Sequence, residues 1–91
     1  MSENVKRLPE LQHAFLVDVA HFNLDTGGFA LVNTPEALKV GNQLLRRGLV
    51  IRGEFGSGKF KRYGFKYTGE ATDYLVATEP EEFARKEKGE K

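Results

Sequence analysis

An eight-residue stretch from Gly53 to Phe60, GEFGSGKF, differs at one position from a phosphate-binding loop. Such loops read G-x-x-x-x-G-K-[ST], and Phe60 stands where the magnesium-binding hydroxyl should be. A phosphate loop also needs a helix after it, because the helix N-terminus holds the phosphates. The residues after Lys59 instead read as a strand, FKRYGFKY. We therefore predict a β-hairpin tip here, with no bound nucleotide or other cofactor.

The remaining polar residues offer little chemistry for catalysis. His13 and His21 are separated by about 12 Å along a predicted helix, which is too far for both to bind one metal ion without a third element. Asp18 and His21 could pair, but a catalytic pair also needs a nucleophile and a cleft. The chain contains no cysteine, so a disulfide and a thiolate site are both excluded. We predict no metal site and no enzymatic activity.

The length and composition indicate one small globular domain. A chain of 91 residues can bury only a modest core, which leaves little room for a large catalytic cleft. Its 40% apolar residues, with seven Phe and three Tyr, are sufficient for folding. No stretch has the apolar length of a signal peptide core or a membrane span, so we expect a cytoplasmic protein without membrane contact.

Positive charge is concentrated in the middle of the chain. Eight basic and two acidic residues lie between positions 28 and 68, a local balance of 8 − 2 = +6, whereas the flanking segments are acidic. The basic residues are Lys39, Arg46, Arg47, Arg52, Lys59, Lys61, Arg62 and Lys66. This distribution predicts an anionic partner that binds one surface of the domain.

The hydrophobic periodicity predicts an α+β fold in the order α-β-α-β-β-α, with a small antiparallel sheet. Thr34 and Pro35 form a helix start signal, and Gly48 is a C-terminal cap. Thr68 is predicted to cap the last helix, and the aromatic residues of the returning strand are expected to cover the core rather than stack on bases.

The expected elements are helix 8–22, strand 29–32, helix 35–47, strands 49–55 and 60–67, and a helix from 69. Residues 1–78 are predicted to form the domain, and 79–91 a flexible charged tail.

The second predicted helix carries the best evidence for binding. At 100° per residue, its apolar residues gather on one arc. The opposite arc contains Lys39, Asn42, Gln43, Arg46 and Arg47. Arg, Lys, Asn and Gln suit base edges and phosphates, although basic residues also occur on helix faces that are merely solvated.

From Thr34 to Leu75 the chain resembles a winged helix-turn-helix domain. The resemblance rests on the phrase LLRRGLV, on the basic hairpin after it, and on the aromatic strand that leads into a threonine-capped helix. One departure is that no first helix of the helix-turn-helix pair is evident between Asn23 and Asn33. The resemblance implies a double-stranded DNA-binding transcriptional regulator, expected to be a homodimer. A winged-helix protein adaptor without nucleic-acid binding is the alternative.

The resemblance also implies which residues contact DNA. The second helix would face the groove, and the hairpin, called the wing in this family, would contact the backbone or minor groove. The expected nucleic-acid-binding residues are Lys39, Asn42, Gln43, Arg46, Arg47, Arg52, Lys59, Lys61 and Arg62.

Overall fold

The computed structural model describes residues 6–83 and confirms a mixed α+β fold with a three-stranded antiparallel sheet. Its elements follow the predicted order. They are α1 (Glu10–Thr26), β1 (Ala30–Val32), α2 (Pro35–Arg46), β2 (Val50–Phe55), β3 (Arg62–Tyr67) and α3 (Gly69–Thr78), with a short 3-10 turn at Gly58–Phe60 and a further helical turn at 80–83.

Both predicted threonine caps are present. Thr34 Oγ1 accepts a hydrogen bond from the Ala37 N–H at 3.1 Å, and Thr68 Oγ1 accepts one from the Ala71 N–H at 3.3 Å. These bonds satisfy backbone donors that have no partner inside the helix. Gly48, just beyond the C-cap of α2, has a φ of 80°, as expected for a glycine that ends a helix.

The prediction that α1 breaks at Asn23 is wrong, because the helix continues to Thr26 and ends at Gly27. The side-chain amide of Asn23 is buried and bonds to other elements. It donates to the carbonyl of Phe65 at 3.2 Å and accepts from the N–H of Tyr67 at 2.9 Å. Ala30 in β1 is opposite Phe65, so Asn23 continues the pairing of β3 beyond the end of β1.

The central strand of the sheet is β3, which pairs with β1 on one side and β2 on the other. Val50 is opposite Tyr67 and Phe55 is opposite Arg62 across the β2–β3 hairpin. Since side chains alternate along a strand, the sheet has two faces. The inner face packs against the helices, and Phe65 at its centre is fully buried together with Leu16, Leu44, Val50 and Leu75.

Gly41 allows α2 to approach the sheet closely. A Cβ atom at this position would lie 2.3 Å from the Phe65 ring, well inside van der Waals contact. Phe15 of α1 packs edge-to-face against the same ring, with 6.0 Å between the ring centroids. The ring of Phe65 therefore joins α1, α2 and β3, which determines which face of α2 remains exposed.

Buried polar contacts attach the end of the described chain to α1. The His13 ring bonds to the Tyr74 hydroxyl at 2.7 Å and to Glu79 at 2.8 Å. Phe83 is buried, and its ring centroid lies 5.0 Å from that of His21. Residues 79–83 of the predicted tail therefore pack against α1, and the rest of that segment lies outside the described residues.

Candidate nucleic-acid interface

The centre of the exposed α2 face is formed by two cations. Lys39 and Arg46 are seven residues apart, about two helical turns, so they project in nearly the same direction. Both are exposed. Within residues 6–83, neither makes a side-chain hydrogen bond or an ion pair. Their donors and charges are therefore available to an external anion.

On the sheet side of this face, Arg52 from β2 is held against α2. Its Nη1 donates a 2.8 Å hydrogen bond to Oδ1 of Asn42. The guanidinium carbon lies 5.1 Å from the centre of the Tyr63 ring on β3. An Arg stacked on an aromatic ring and bonded through one nitrogen keeps its other N–H groups for a ligand.

On the opposite side, α1 supports the face through a chain of side-chain hydrogen bonds. Gln12 Nε2 donates to Gln43 Oε1 at 3.0 Å. Gln12 Oε1 accepts from the Nε of Arg47 at 2.9 Å. Arg47 is exposed, so its terminal guanidinium nitrogens remain open to a partner. Both edges of the α2 face are thus bound to neighbouring elements before any ligand is present.

The wing cations are arranged differently from the sequence prediction. The sequence predicts a strand from residue 60, but Phe60 lies with Lys59 in the 3-10 turn at the hairpin tip, and β3 begins at Arg62. Lys61 forms an ion pair with Glu54 at 3.4 Å, and Arg62 Nη1 donates to Asn33 Oδ1 at 3.2 Å. Alternation along β3 directs Arg62 to the outer face, away from α2. The conformation of the glycine-rich turn in GEFGSGKF, rather than the alternation of a strand, determines the position of Lys59.

Six of the nine predicted contact residues form one continuous surface with α2: Lys39, Asn42, Gln43, Arg46, Arg47 and Arg52. Sequence reasoning missed Gln12 and the position of Tyr63. Tyr63 was expected to cover the core together with Phe65 and Tyr67, but it supports Arg52 instead. Gln12 gave no signal, because nothing local to α1 indicates which element will pack beside it.

The glycine-rich loop forms the tip of a β-hairpin, so the structural part of its prediction is confirmed. Lys59 lies within a single 3-10 turn that is followed by β3, so the stretch is a hairpin tip and offers no helix N-terminus to a phosphate. In the part of the chain that the structure describes, no three His, Asp or Glu side chains are grouped to hold a metal ion. None of the helices within 6–83 is both long and apolar enough to cross a membrane.

The arrangement departs from a helix-turn-helix at one point. Residues 27–34 separate α1 from α2 and contain β1, so no helix joined by a short turn precedes α2. The β2–β3 hairpin and α3 follow α2 in the predicted order. Comparison with known family models, with curated proteins and with solved structures found no match to this chain.

Proposed function

We propose that the protein binds double-stranded DNA through the exposed face of α2, with the β2–β3 hairpin as a wing, and acts as a transcriptional regulator. The observation that carries this proposal is that free cations and held cations share one surface formed by α2 and its surroundings. Within residues 6–83 Lys39 and Arg46 are unpaired, and Arg52 and Arg47 are held on either side of them. Prearranged guanidinium groups suit bidentate contacts with guanine and with phosphates.

The electrostatics of this surface favour an anion over a neutral partner. Glu36 at the start of α2 and Glu54 on β2 are the carboxylates of the basic central segment, and Glu54 is already paired with Lys61. Among the described residues, Lys39, Arg46, Arg47 and Arg52 form no ion pair with a carboxylate. A cationic helix of about 18 Å length matches the major groove, which admits an α-helix.

Titration of a fluorescent random-sequence duplex at two salt concentrations tests the proposal. The logarithm of the binding constant should fall with the logarithm of salt concentration, by about 0.9 for each phosphate neutralised. Arg46→Ala should weaken binding, by roughly 1 to 3 kcal/mol on a preferred sequence. Lys6→Ala, which removes an exposed cation outside this surface, is the matched control. Absence of binding at low salt would favour the adaptor alternative.

We further propose that the regulator is a homodimer, since one small module reads few base pairs. Leu11 on α1 has 69% of its surface exposed, more than the other large apolar side chains in the described α-helices. A two-fold contact uses the same patch on both copies, so Leu11 of each copy would contribute apolar surface to the interface. Sedimentation of the wild type and of Leu11→Glu tests this. A dimer that persists in the variant places the contact elsewhere, and a monomeric wild type contradicts the proposal.

A further inference from the structure

The face of the sheet that points away from the helices is apolar and exposed. Strand alternation and side-chain contacts define this outer sheet face as Phe29, Leu31, Ile51, Gly53, Phe55, Arg62, Gly64 and Lys66. Leu31, Ile51 and Phe55 keep 46%, 49% and 40% of their surfaces exposed. A row of adjacent exposed apolar side chains is typical of an interaction site rather than of ordinary surface.

A glycine pair makes this face flat and continuous. Gly53 lies opposite Gly64 in the register, and neighbouring side chains lie over both. A Cβ atom at Gly64 would be 2.8 Å from Leu31 Cδ2 and 3.1 Å from the Phe55 ring. The rings of Phe29 and Phe55 meet edge-to-face with 5.4 Å between centroids. Phe29, Leu31 and Phe55 thus meet over the glycine pair, and Ile51 lies two residues before Gly53 on β2.

The dimensions of the outer sheet face match a single helix. Three strands spaced by about 4.8 Å span roughly 14 Å, and six residues at about 3.4 Å each make β2 and β3 roughly 20 Å long, whereas β1 has three residues. An α-helix is about 10 to 12 Å wide, and about 13 residues cover 20 Å. A groove of about 570 Å³ between α1 and β1, lined in part by Phe22 and Leu31, adjoins this face and gives room for a large side chain. The area is well below the ~800 Å² per partner of a standard stable interface, which disfavours a second copy of the chain.

The charges of the outer sheet face select an acidic partner. Arg62 and Lys66 are the charged residues among those that define it, and Asp18, which carries a carboxylate, lines the adjoining groove. Two copies placed face to face would bring cations against cations. A partner with carboxylates beside an apolar stripe would instead be complementary in both respects.

Single-stranded nucleic acid is also anionic, but the apolar residues suit it less well. Base-binding sheets offer aromatic ring faces. Here the ammonium of Lys66 lies 5.4 Å from the centre of the Phe29 ring and covers it. The most exposed side chains are the aliphatic Leu31 and Ile51. Branched aliphatic groups pack against other side chains rather than against bases.

We propose that the outer sheet face binds an acidic amphipathic helix of a partner protein. The apolar stripe of the partner helix packs on Leu31, Ile51 and Phe55. The carboxylates that flank this stripe pair with Arg62 and Lys66. Since α2 packs on the inner face, the two surfaces lie on opposite sides of the sheet and can be occupied together. The proposal does not depend on DNA binding.

Two designed helical peptides of about 14 residues test the proposal, since this length spans the sheet. They share one leucine stripe and differ only in flanking residues, which are Glu in one and Lys in the other. Titrated into the ¹⁵N-labelled full chain, the Glu peptide should shift the amides of β1, β2 and β3. It should bind at least about tenfold more tightly than the Lys peptide, which corresponds to ~1.4 kcal/mol. Lys66→Glu should reduce that preference.

Variants locate the site. Ile51→Glu should weaken binding of the Glu peptide by about tenfold or more, because it places a charge within the apolar layer. Leu24→Glu is the control, since it makes the same kind of change at an exposed leucine of α1. Unchanged melting temperatures confirm that both variants are folded.

Four results would overturn the proposal. They are equal binding of both peptides, shifts confined to other elements, no binding of either peptide at millimolar concentration, and self-association of the chain that Ile51→Glu abolishes. A titration with oligo(dT) provides the nucleic-acid outcome: if it shifts the same amides while the Glu peptide does not, the face binds single strands. None of these titrations uses duplex DNA, so failure of the proposed peptide binding is distinct from failure of the proposed binding to double-stranded DNA.

Discussion

Arg52 Nη1 donates a 2.8 Å hydrogen bond to Asn42 Oδ1, and this contact joins the wing to the exposed face of α2. The two residues lie ten positions apart on different elements. Because Arg52 also rests on Tyr63, its guanidinium is held by two independent contacts. A shared hydrogen bond of this kind makes the two side chains energetically dependent on each other.

The Asn42–Arg52 contact predicts non-additive loss of DNA binding. Asn42→Ala and Arg52→Ala should each weaken binding by roughly 1 to 3 kcal/mol on a preferred duplex. The double variant should lose less than the sum, with a coupling of about 0.5 kcal/mol or more, because removing either partner already releases the other. Fluorescence anisotropy on one duplex at fixed salt measures all four proteins. Strict additivity would show that the contact does not organise the binding surface.

The wing predicts a change in salt dependence with little change in specificity. Replacing both Lys59 and Lys61 with Ala should flatten the salt slope by about 0.9 for each phosphate that is no longer neutralised. Glu54→Gln should strengthen binding, because it releases Lys61 from its 3.4 Å ion pair. If the lysines only keep the hairpin edge from aggregating, the double variant will associate in sedimentation and its slope will stay the same.

The hairpin context of the glycine-rich loop predicts indifference to ATP. Millimolar ATP with magnesium should leave the melting temperature unchanged, since Phe60 supplies no metal ligand and no helix follows Lys59. A ligand that binds the folded state must raise its stability. A dose-dependent rise that Lys59→Ala removes would restore the nucleotide-binding interpretation.

Close packing predicts opposite effects for two helical glycines. Gly41→Ala should lower the free energy of unfolding by about 1 to 3 kcal/mol or more, because its Cβ would meet the Phe65 ring at 2.3 Å. Gly69→Ala is the matched control. No atom beyond its own neighbours lies within 4 Å of a Cβ at Gly69, and alanine favours the helix by up to ~1 kcal/mol. Urea denaturation measures both, and a Gly41 variant as stable as the wild type would contradict the close approach.

Features governed by local chemistry could be predicted from the sequence. The period of α2, its Thr34 cap and the turn at Gly48 depend on nearby residues, so its limits and its basic face are close to the prediction. The hairpin limits are also close. The tip was less predictable, because a loop with several glycines has many conformations of similar energy.

Asn23 shows where local reasoning stops. Its residue type favours a helix end, and only its bonds to the β3 backbone keep it inside α1. The burial of Phe83 and the hydrogen bond of Glu79 to His13 on α1 are of the same kind, since a segment rich in charge is expected to remain in solvent. In each case the bonding partner lies more than forty residues away.

The sequence by itself determined the order of the elements, the basic face of α2 and the hairpin that follows it, because periodicity, caps and turn residues act over a few positions. Only the tertiary structure decided what flanks that face and what the sheet exposes. Arg52 and Gln12 contact α2 because Gly41 allows this helix to pack closely against Phe65. The apolar outer sheet face is exposed because α1 and α2 pack on the other side, and this packing depends on contacts between residues that are far apart in the chain.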